Sequence, residues 1–176
     1  QVPAMRNAAF MMVALANPGL VGAVCPSSRW LAATMAQAAR GAQQIVELGA
    51  GTGAITEALV EQHPGVRLVA VELQRELADL LLQRFEGIDV RCAAAHEVLT
   101  ALQAQVLPRT VLVSSLPFQS LPAPWRERTI QAMASFLRVN AQSRLVQYTY
   151  QRKAPFELPA GSDLHWTRVG RVWRNA

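Results

Sequence analysis

Ile45-Val46-Glu47-Leu48-Gly49-Ala50-Gly51-Thr52-Gly53 is the stretch on which the reading of the fold turns. Its first half is a short apolar run bounded by turn residues, the form of a buried strand. It empties into three glycines spaced by single residues, and a helical pattern follows from Ile55 to Gln62. Glycines at such a strand-to-helix junction permit a tight turn and bring backbone N–H groups against a ligand that side chains would block.

Gly49, Gly51 and Ala54 also satisfy the looser G-x-G-x-x-G/A pattern, so the glycines alone do not choose between a nicotinamide cofactor and S-adenosylmethionine. Two neighbours do. Glu47, two residues before the first glycine, is poorly placed near a pyrophosphate but suits the amino group of a methionine moiety, directly or through water. Glu72, nineteen positions after Gly53, closes the next apolar run, where a carboxylate can accept both ribose hydroxyls. Together these favour S-adenosylmethionine. A different nucleotide and a purely structural turn are the alternatives.

Outward from this motif, apolar runs at Arg67 to Val71, Val111 to Val113, Leu145 to Tyr150 and Thr167 to Trp173, with a weaker one at Asp89 to Cys92, read as further strands. Helical patterns fall at Ser28 to Ala39, Gln74 to Phe85, His96 to Val106 and Trp125 to Leu137, the last preceded by Pro124. Alternating strands and helices predict an α/β fold: a single-domain, Rossmann-like, mostly parallel central sheet with helices on both faces. Ligands in such sheets bind beyond the carboxyl ends of the strands, so the loops after residues 48, 71, 92 and 113 are where chemistry is expected.

With 176 residues and 51% hydrophobic side chains, the chain holds one core of its own and neither a disordered tail nor a large multidomain machine. Cys25 and Cys92 lack metal-binding or disulfide spacing and read as buried small hydrophobes of a reducing compartment. No metal is expected. The net charge of +5 is uneven: residues 1 to 40 carry +3, residues 41 to 100 carry −5, and residues 101 to 176 carry +7. Basic flanks around an acidic middle suit a phosphate-bearing partner, although scattered solvated arginines explain them equally well. The apolar run Ala8 to Ala16 is nine residues, well short of the roughly twenty that cross a bilayer. It has no A-x-A cleavage pattern after it, which speaks against secretion. The sequence opens on Gln1 rather than Met, and a trimmed start is expected.

Three further stretches carry a family resemblance: Val21-Gly22-Ala23-Val24-Cys25-Pro26-Ser27-Ser28, Ser114-Ser115-Leu116-Pro117-Phe118-Gln119-Ser120-Leu121-Pro122, and Arg168-Val169-Gly170-Arg171-Val172-Trp173-Arg174-Asn175. With the glycine loop, they make the chain resemble the class I S-adenosylmethionine-dependent methyltransferases, and within them the bacterial phospholipid (phosphatidylethanolamine) N-methyltransferases. The resemblance implies S-adenosylmethionine as cofactor and S-adenosylhomocysteine as product. It also implies an aminophospholipid substrate at a membrane surface, with no nucleic acid partner favoured, and a peripheral place on the cytoplasmic face of the inner membrane. The cofactor contacts expected on these grounds are Ser28, Glu47, Gly49, Ala50, Gly51, Thr52, Gly53, Glu72, Leu73, Ala94, Ala95 and Ser114. Ser27 reads first as the cap of the helix that starts near Ser28.

Ser115, Leu116, Pro117 and Phe118 resemble the short Asn/Asp/Ser-x-Pro-aromatic string that amine methyltransferases place after the fourth strand, and they are the expected catalytic group. Proline stiffens the turn, so the Ser115 hydroxyl and a nearby backbone carbonyl can accept hydrogen bonds from the amine. His96 is a candidate general base. Trp30, Phe118 and Tyr148 are expected to bind the increasingly methylated cation through their ring faces. Residues 1 to 27 are expected to form an N-terminal helical segment, with Met5 to Leu15 lying in the membrane interface as a lid, and residues 28 to 176 the methyltransferase domain. The resemblance further implies a strand beyond Arg174-Asn175, which the stretch ending at Ala176 does not supply. Two other functions share the glycine loop: an rRNA adenine N6 dimethylase-like enzyme, and a non-catalytic S-adenosylmethionine-binding protein.

Similar enzymes end the third strand in Gly-Asp-Ala, whose acid holds the adenine amino group, whereas the aligned residues here are Ala93-Ala94-Ala95. Cofactor binding is expected to be weakened by the missing carboxylate. Ala94→Asp should therefore tighten S-adenosylhomocysteine binding in an equilibrium titration; tight binding that the substitution leaves unchanged would contradict this assignment.

Overall fold

A computed structural model describes residues 9–15, 26–105, 107–140, 142–149, 153–159 and 162–169. In chain order the elements are β1 (Ala9–Leu15), α1 (Pro26–Ala38), β2 (Gln44–Leu48), α2 (Ala54–Gln62), β3 (Arg67–Glu72), α3 (Arg75–Arg84), β4 (Asp89–Cys92), α4 (Ala95–Leu102), β5 (Thr110–Ser114), α5 (Ala123–Val139), β6 (Arg144–Thr149) and β7 (Asp163–Val169). The strands form one seven-stranded sheet in the order β4-β3-β2-β5-β6-β1-β7, with every recorded pairing parallel.

β2 and β5 are buried at all five positions, which is why they read as continuous apolar runs: a central parallel strand is covered on both faces. Residues alternate between two cores. Val46, Leu48, Leu112 and Leu145 pack beneath α4 and α5 with Met133, Phe136 and Phe118. Ile45, Val111, Val113 and Val146 face the other way, under Ala32, Met35 and Ala36 of α1, Ala39 just after it, and Ile55 and Leu59 of α2. The spacing of the α1 residues, three or four apart, is that of one helical face.

The chain winds from β2 outward through β3 to β4, then returns to place β5 on the other side of β2. The loops leaving β2 and β5 therefore diverge from adjacent strands, the place where such sheets open a crevice. Leu48 is in register with Ser114, so the two loops start level with each other.

The expected N-terminal helix is corrected: Ala9–Leu15 is a strand, paired with β6 on one side and β7 on the other. Its Phe-Met-Met-Val core suits a strand enclosed by two neighbours, which a lid lying on a membrane would not allow. The boundary drawn at residue 27 also falls away, because β1 belongs to the same sheet as the rest. The flanking residues 1–8 and 16–25, with Cys25, lie outside the described residues. The last strand begins earlier than expected, at Asp163 rather than Thr167, and Arg171 to Asn175 lie outside the described residues. The fourth predicted helix ends at Leu102 and tightens into a 3-10 turn over Gln103–Gln105, while Val106 lies outside the described residues.

Gly53 sits at the entry to α2 with φ +91°, and a Cβ there would stand 2.7 Å from Phe85 Cε2 and 3.0 Å from Leu81 Cδ2. Left-handed backbone and an occupied space both require glycine. Gly53→Ala should destabilise the fold by roughly 1–3 kcal/mol, read as a lower urea midpoint at unchanged slope.

Candidate functional site

The loop between β2 and α2 is laced to the end of β3. The backbone N–H groups of Gly49 and Ala50 both donate to the Val71 carbonyl, at 2.9 and 3.1 Å. The Gly51 N–H donates to Glu72 Oε2 at 2.8 Å, and the Gln74 N–H donates to Glu72 Oε1 at 2.9 Å. The Glu72 carboxylate is thus oriented by two backbone donors, with lone pairs to spare for hydroxyls. Arg84 donates to the Thr52 carbonyl from α3, steadying the outer side of the same turn. Gly51 has φ +58°, and nothing lies within 4 Å of where its Cβ would be. The space beside the loop at Gly51 is therefore open, a cradle that a side chain would occupy.

Glu47 stands behind this cradle and is buried. Its Oε2 accepts a 2.6 Å hydrogen bond from the Thr56 hydroxyl on α2, while Oε1 is buried with no partner among the described residues. Burial pushes the Glu47 carboxyl up from 4.5 to about 7, against the opposing pull of the Thr56 hydroxyl and with a smaller push from the charge of Glu72.

The second loop leaves β5 alongside. Ser114 is buried, and its Oγ accepts the Leu116 N–H at 3.3 Å. Its hydroxyl therefore shapes the turn. The Ser115 N–H donates to the Leu48 carbonyl at 3.2 Å and its hydroxyl donates to the Gly49 carbonyl at 2.8 Å, joining the glycine loop to the Ser-Leu-Pro-Phe loop. A Cβ on Gly49 would lie 2.9 Å from Leu116 Cδ2, so the two loops touch. Pro117 accepts from the Ser120 and Leu121 N–H groups at 2.8 and 3.1 Å, a compact turn that carries Leu116 into place.

Phe118, expected against the substrate, is 1% exposed and meets Phe156 edge to face at 4.9 Å between ring centroids. It packs in the core under α4 and α5, whereas Tyr148 packs on the opposite face of the sheet with α1 and α2. Trp30, near the start of α1, is 66% exposed. The structure therefore does not gather Trp30, Phe118 and Tyr148 into one aromatic box, because Phe118 and Tyr148 belong to cores on opposite faces of the sheet and Trp30 is exposed on a helix. Ser28 lies in the first turn of α1, and its side chain is outside the described residues.

Leu73 is exposed directly after Glu72. Ala94 is buried and precedes α4, its N–H donating to Glu97 Oε2 at 3.4 Å, and Ala95 opens the helix. Ala94 and Ala95 thus present no side-chain acceptor here, and the one carboxylate at this turn, Glu97, is engaged with the Ala94 N–H. His96 meets Trp125 edge to face at 5.5 Å, and its Nδ1 is buried without a partner among the described residues. No group of three or more His, Cys, Asp or Glu side chains suited to a metal lies together among the described residues.

A family model described as a methyltransferase domain matches residues 45–140, more than half the chain. An ornithine lipid N-methyltransferase of Singulisphaera acidiphila is 33% identical over 109 residues, covering 58% of this chain and 57% of that protein. A ribosomal RNA small subunit methyltransferase A of Acidobacterium capsulatum is 40% identical over 81 residues, covering 44% of this chain and 28% of that protein. The chain thus spans well under two thirds of the length of these curated relatives. Among solved structures, a plantazolicin methyltransferase in complex with a substrate analogue and S-adenosylhomocysteine superposes with a TM-score of 0.50 at 16% identity, over 66% of this chain and 44% of that one, a likeness of fold. The chain belongs to the methyltransferase domain family, in its S-adenosylmethionine-dependent class.

The residues present fit that cofactor. The open space at Gly51 would admit a ligand to the loop, and Glu47, whose Oε1 is buried without a partner among the described residues, would take the methionine amino group. Glu72, bonded to the Gly51 N–H, would hold the ribose, and the exposed Leu73 that follows it would border the adenine.

The raised carboxyl of Glu47 sets a pH dependence. In the unfolded chain it ionises near 4.5, in the folded chain near 7, so the stability of its neutral burial is full below about 4.5 and is lost as pH rises to about 7. The loss amounts to about 3 kcal/mol. Without cofactor, Glu47→Gln should gain thermal stability over the parent at pH 8 and little at pH 4.5. S-adenosylhomocysteine, whose ammonium favours the ionised carboxylate, should bind the parent more tightly as pH rises through 7, whereas calorimetry on Glu47→Gln should show weaker binding without that rise.

Proposed function

We propose that this protein is an S-adenosylmethionine-dependent N-methyltransferase that acts on the amine headgroup of an aminolipid, phosphatidylethanolamine or a relative such as an ornithine lipid. The observation that carries this reading is the 33% identity to an ornithine lipid N-methyltransferase, which runs together with a Ser-Leu-Pro-Phe loop bonded to the glycine loop. The cofactor supplies an electrophilic methyl group on a sulfonium centre. Everything else falls to this chain: Gly49 to Gly53, Glu47 and Glu72 hold the donor, and the Ser115-Leu116 turn holds the amine in line with it.

A lipid amine titrates near 10 in water and must be neutral to attack. The turn at Leu116 borders the apolar core, and withdrawal from water favours the neutral form. Trp30, Leu73 and Trp125, which are 66%, 58% and 40% exposed, all follow or begin elements at the carboxyl end of the sheet, where the loops of the site also lie. Exposed tryptophans at one edge suit a membrane interface, and this edge is our proposed peripheral contact with the inner membrane. Among the described residues, no helix is long and apolar enough to cross a membrane.

A second reading, methylation of adenine in ribosomal RNA, is favoured by the 40% identity to the small subunit methyltransferase. One experiment separates the two. The protein is incubated with methyl-labelled S-adenosylmethionine and either a panel of purified aminolipids or ribosomal RNA, and the products are partitioned between organic and aqueous phases. Label in the organic phase that comigrates with a methylated headgroup is the expected result; label found only in RNA would replace the lipid reading with the second one.

A further inference from the structure

Gln147, in β6, lies one strand away from Ser114 and in register with it, and is fully buried. Its Nε2 donates to two carbonyls, that of Leu116 at 3.3 Å and that of Tyr148 at 2.7 Å. Two acceptors on that side fix which end of the amide is nitrogen. Its Oε1 consequently points elsewhere, and it is buried with no donor among the described residues. An acceptor left bare in a dry interior is an expensive arrangement, and one that a ligand N–H relieves.

The position of this bare oxygen gives the ligand its chemistry. It belongs to the same amide that touches the Leu116 carbonyl, and Leu116 precedes Pro117 in the turn to which the reading above assigns the amine. The hydroxyl of Ser115 already gives its proton to the Gly49 carbonyl. Beside Leu116, the Oε1 of Gln147 is a buried side-chain acceptor with no donor among the described residues.

We infer that Gln147 is a substrate-binding residue that reads the number of N–H groups on the amine. The Leu116 carbonyl accepts one N–H of a neutral primary amine and Gln147 Oε1 accepts the other, which leaves the nitrogen lone pair free to face the methyl donor. A secondary amine engages only one of the two acceptors, and a tertiary amine neither. The site thereby favours the first methyl transfer over the later ones. This inference rests on the amine methyltransferase reading.

The test compares the parent with Gln147→Leu on two substrate series: phosphatidylethanolamine and its mono- and dimethylated forms in vesicles, and ethanolamine and its mono- and dimethylated forms in solution. S-adenosylhomocysteine affinity and thermal midpoint are measured alongside. We expect kcat/KM of Gln147→Leu to fall about tenfold or more on the primary amine, less on the secondary and least on the tertiary, with cofactor affinity unchanged. If that variant does not fold, Gln147→Met, unbranched and of similar length, takes its place. A fall that is equal across the methylation series, or no fall on the primary amine, overturns the inference. A parent active on the ethanolamine series but on no lipid overturns the lipid reading alone, and a parent that methylates no amine of either series overturns both.

Discussion

The contact between β2 and β5 is the constraint on which the rest of this structure depends. These strands are neighbours in space but sixty-odd residues apart in sequence, and the chain leaves them toward opposite halves of the sheet. Their outgoing loops start level with each other and then diverge, the arrangement that opens a crevice at the carboxyl end of such a sheet. Hydrogen bonds from Ser115 to Leu48 and Gly49 join the glycine loop to the Ser-Leu-Pro-Phe loop.

Within that crevice the chain leaves polar groups in unfavourable states. Glu47 is a carboxylate denied water, held by one hydroxyl and bare on its other oxygen. Gln147 is an amide whose donor side is satisfied and whose acceptor side is not. Buried polar groups in folded proteins are nearly always paired, and the bare oxygens of Glu47 and Gln147 are acceptors that the N–H donors of the proposed cofactor and amine would satisfy. Glu72 behaves differently, because backbone N–H groups of Gly51 and Gln74 already orient it. It arrives pre-organised, while Glu47 waits for its partner.

The relation between the two loops also accounts for the residues that are not where the family resemblance implies. Phe118 turns into the core beside Phe156, because the tight Pro117 turn directs it under α5. The exposed aromatic side chains among the described residues are on other elements, Trp30 in α1 and Trp125 in α5. Strand β1 fills the far half of the sheet between β6 and β7, so the N-terminal apolar run serves the fold and not a lid.

Most of the central architecture was legible in the order of residues. Buried parallel strands are apolar at every position, glycines mark the turn that a ligand approaches, and these are local properties of Ile45 to Gly53, Arg67 to Glu72 and Thr110 to Ser114. The run Ala8 to Ala16 was misread because a continuous apolar stretch has no period by which to tell strand from helix, and only two neighbouring strands decide it. Gln147 left no signal at all, since one glutamine in a strand is unremarkable until the pairing with Ser114 sets it beneath Leu116. The sequence by itself determined which side chains are available and the turn that brings backbone amides to a ligand. Tertiary structure alone decided which side chains share a crevice and which of them are left bare, because strand order and sheet face depend on contacts between residues far apart in the chain.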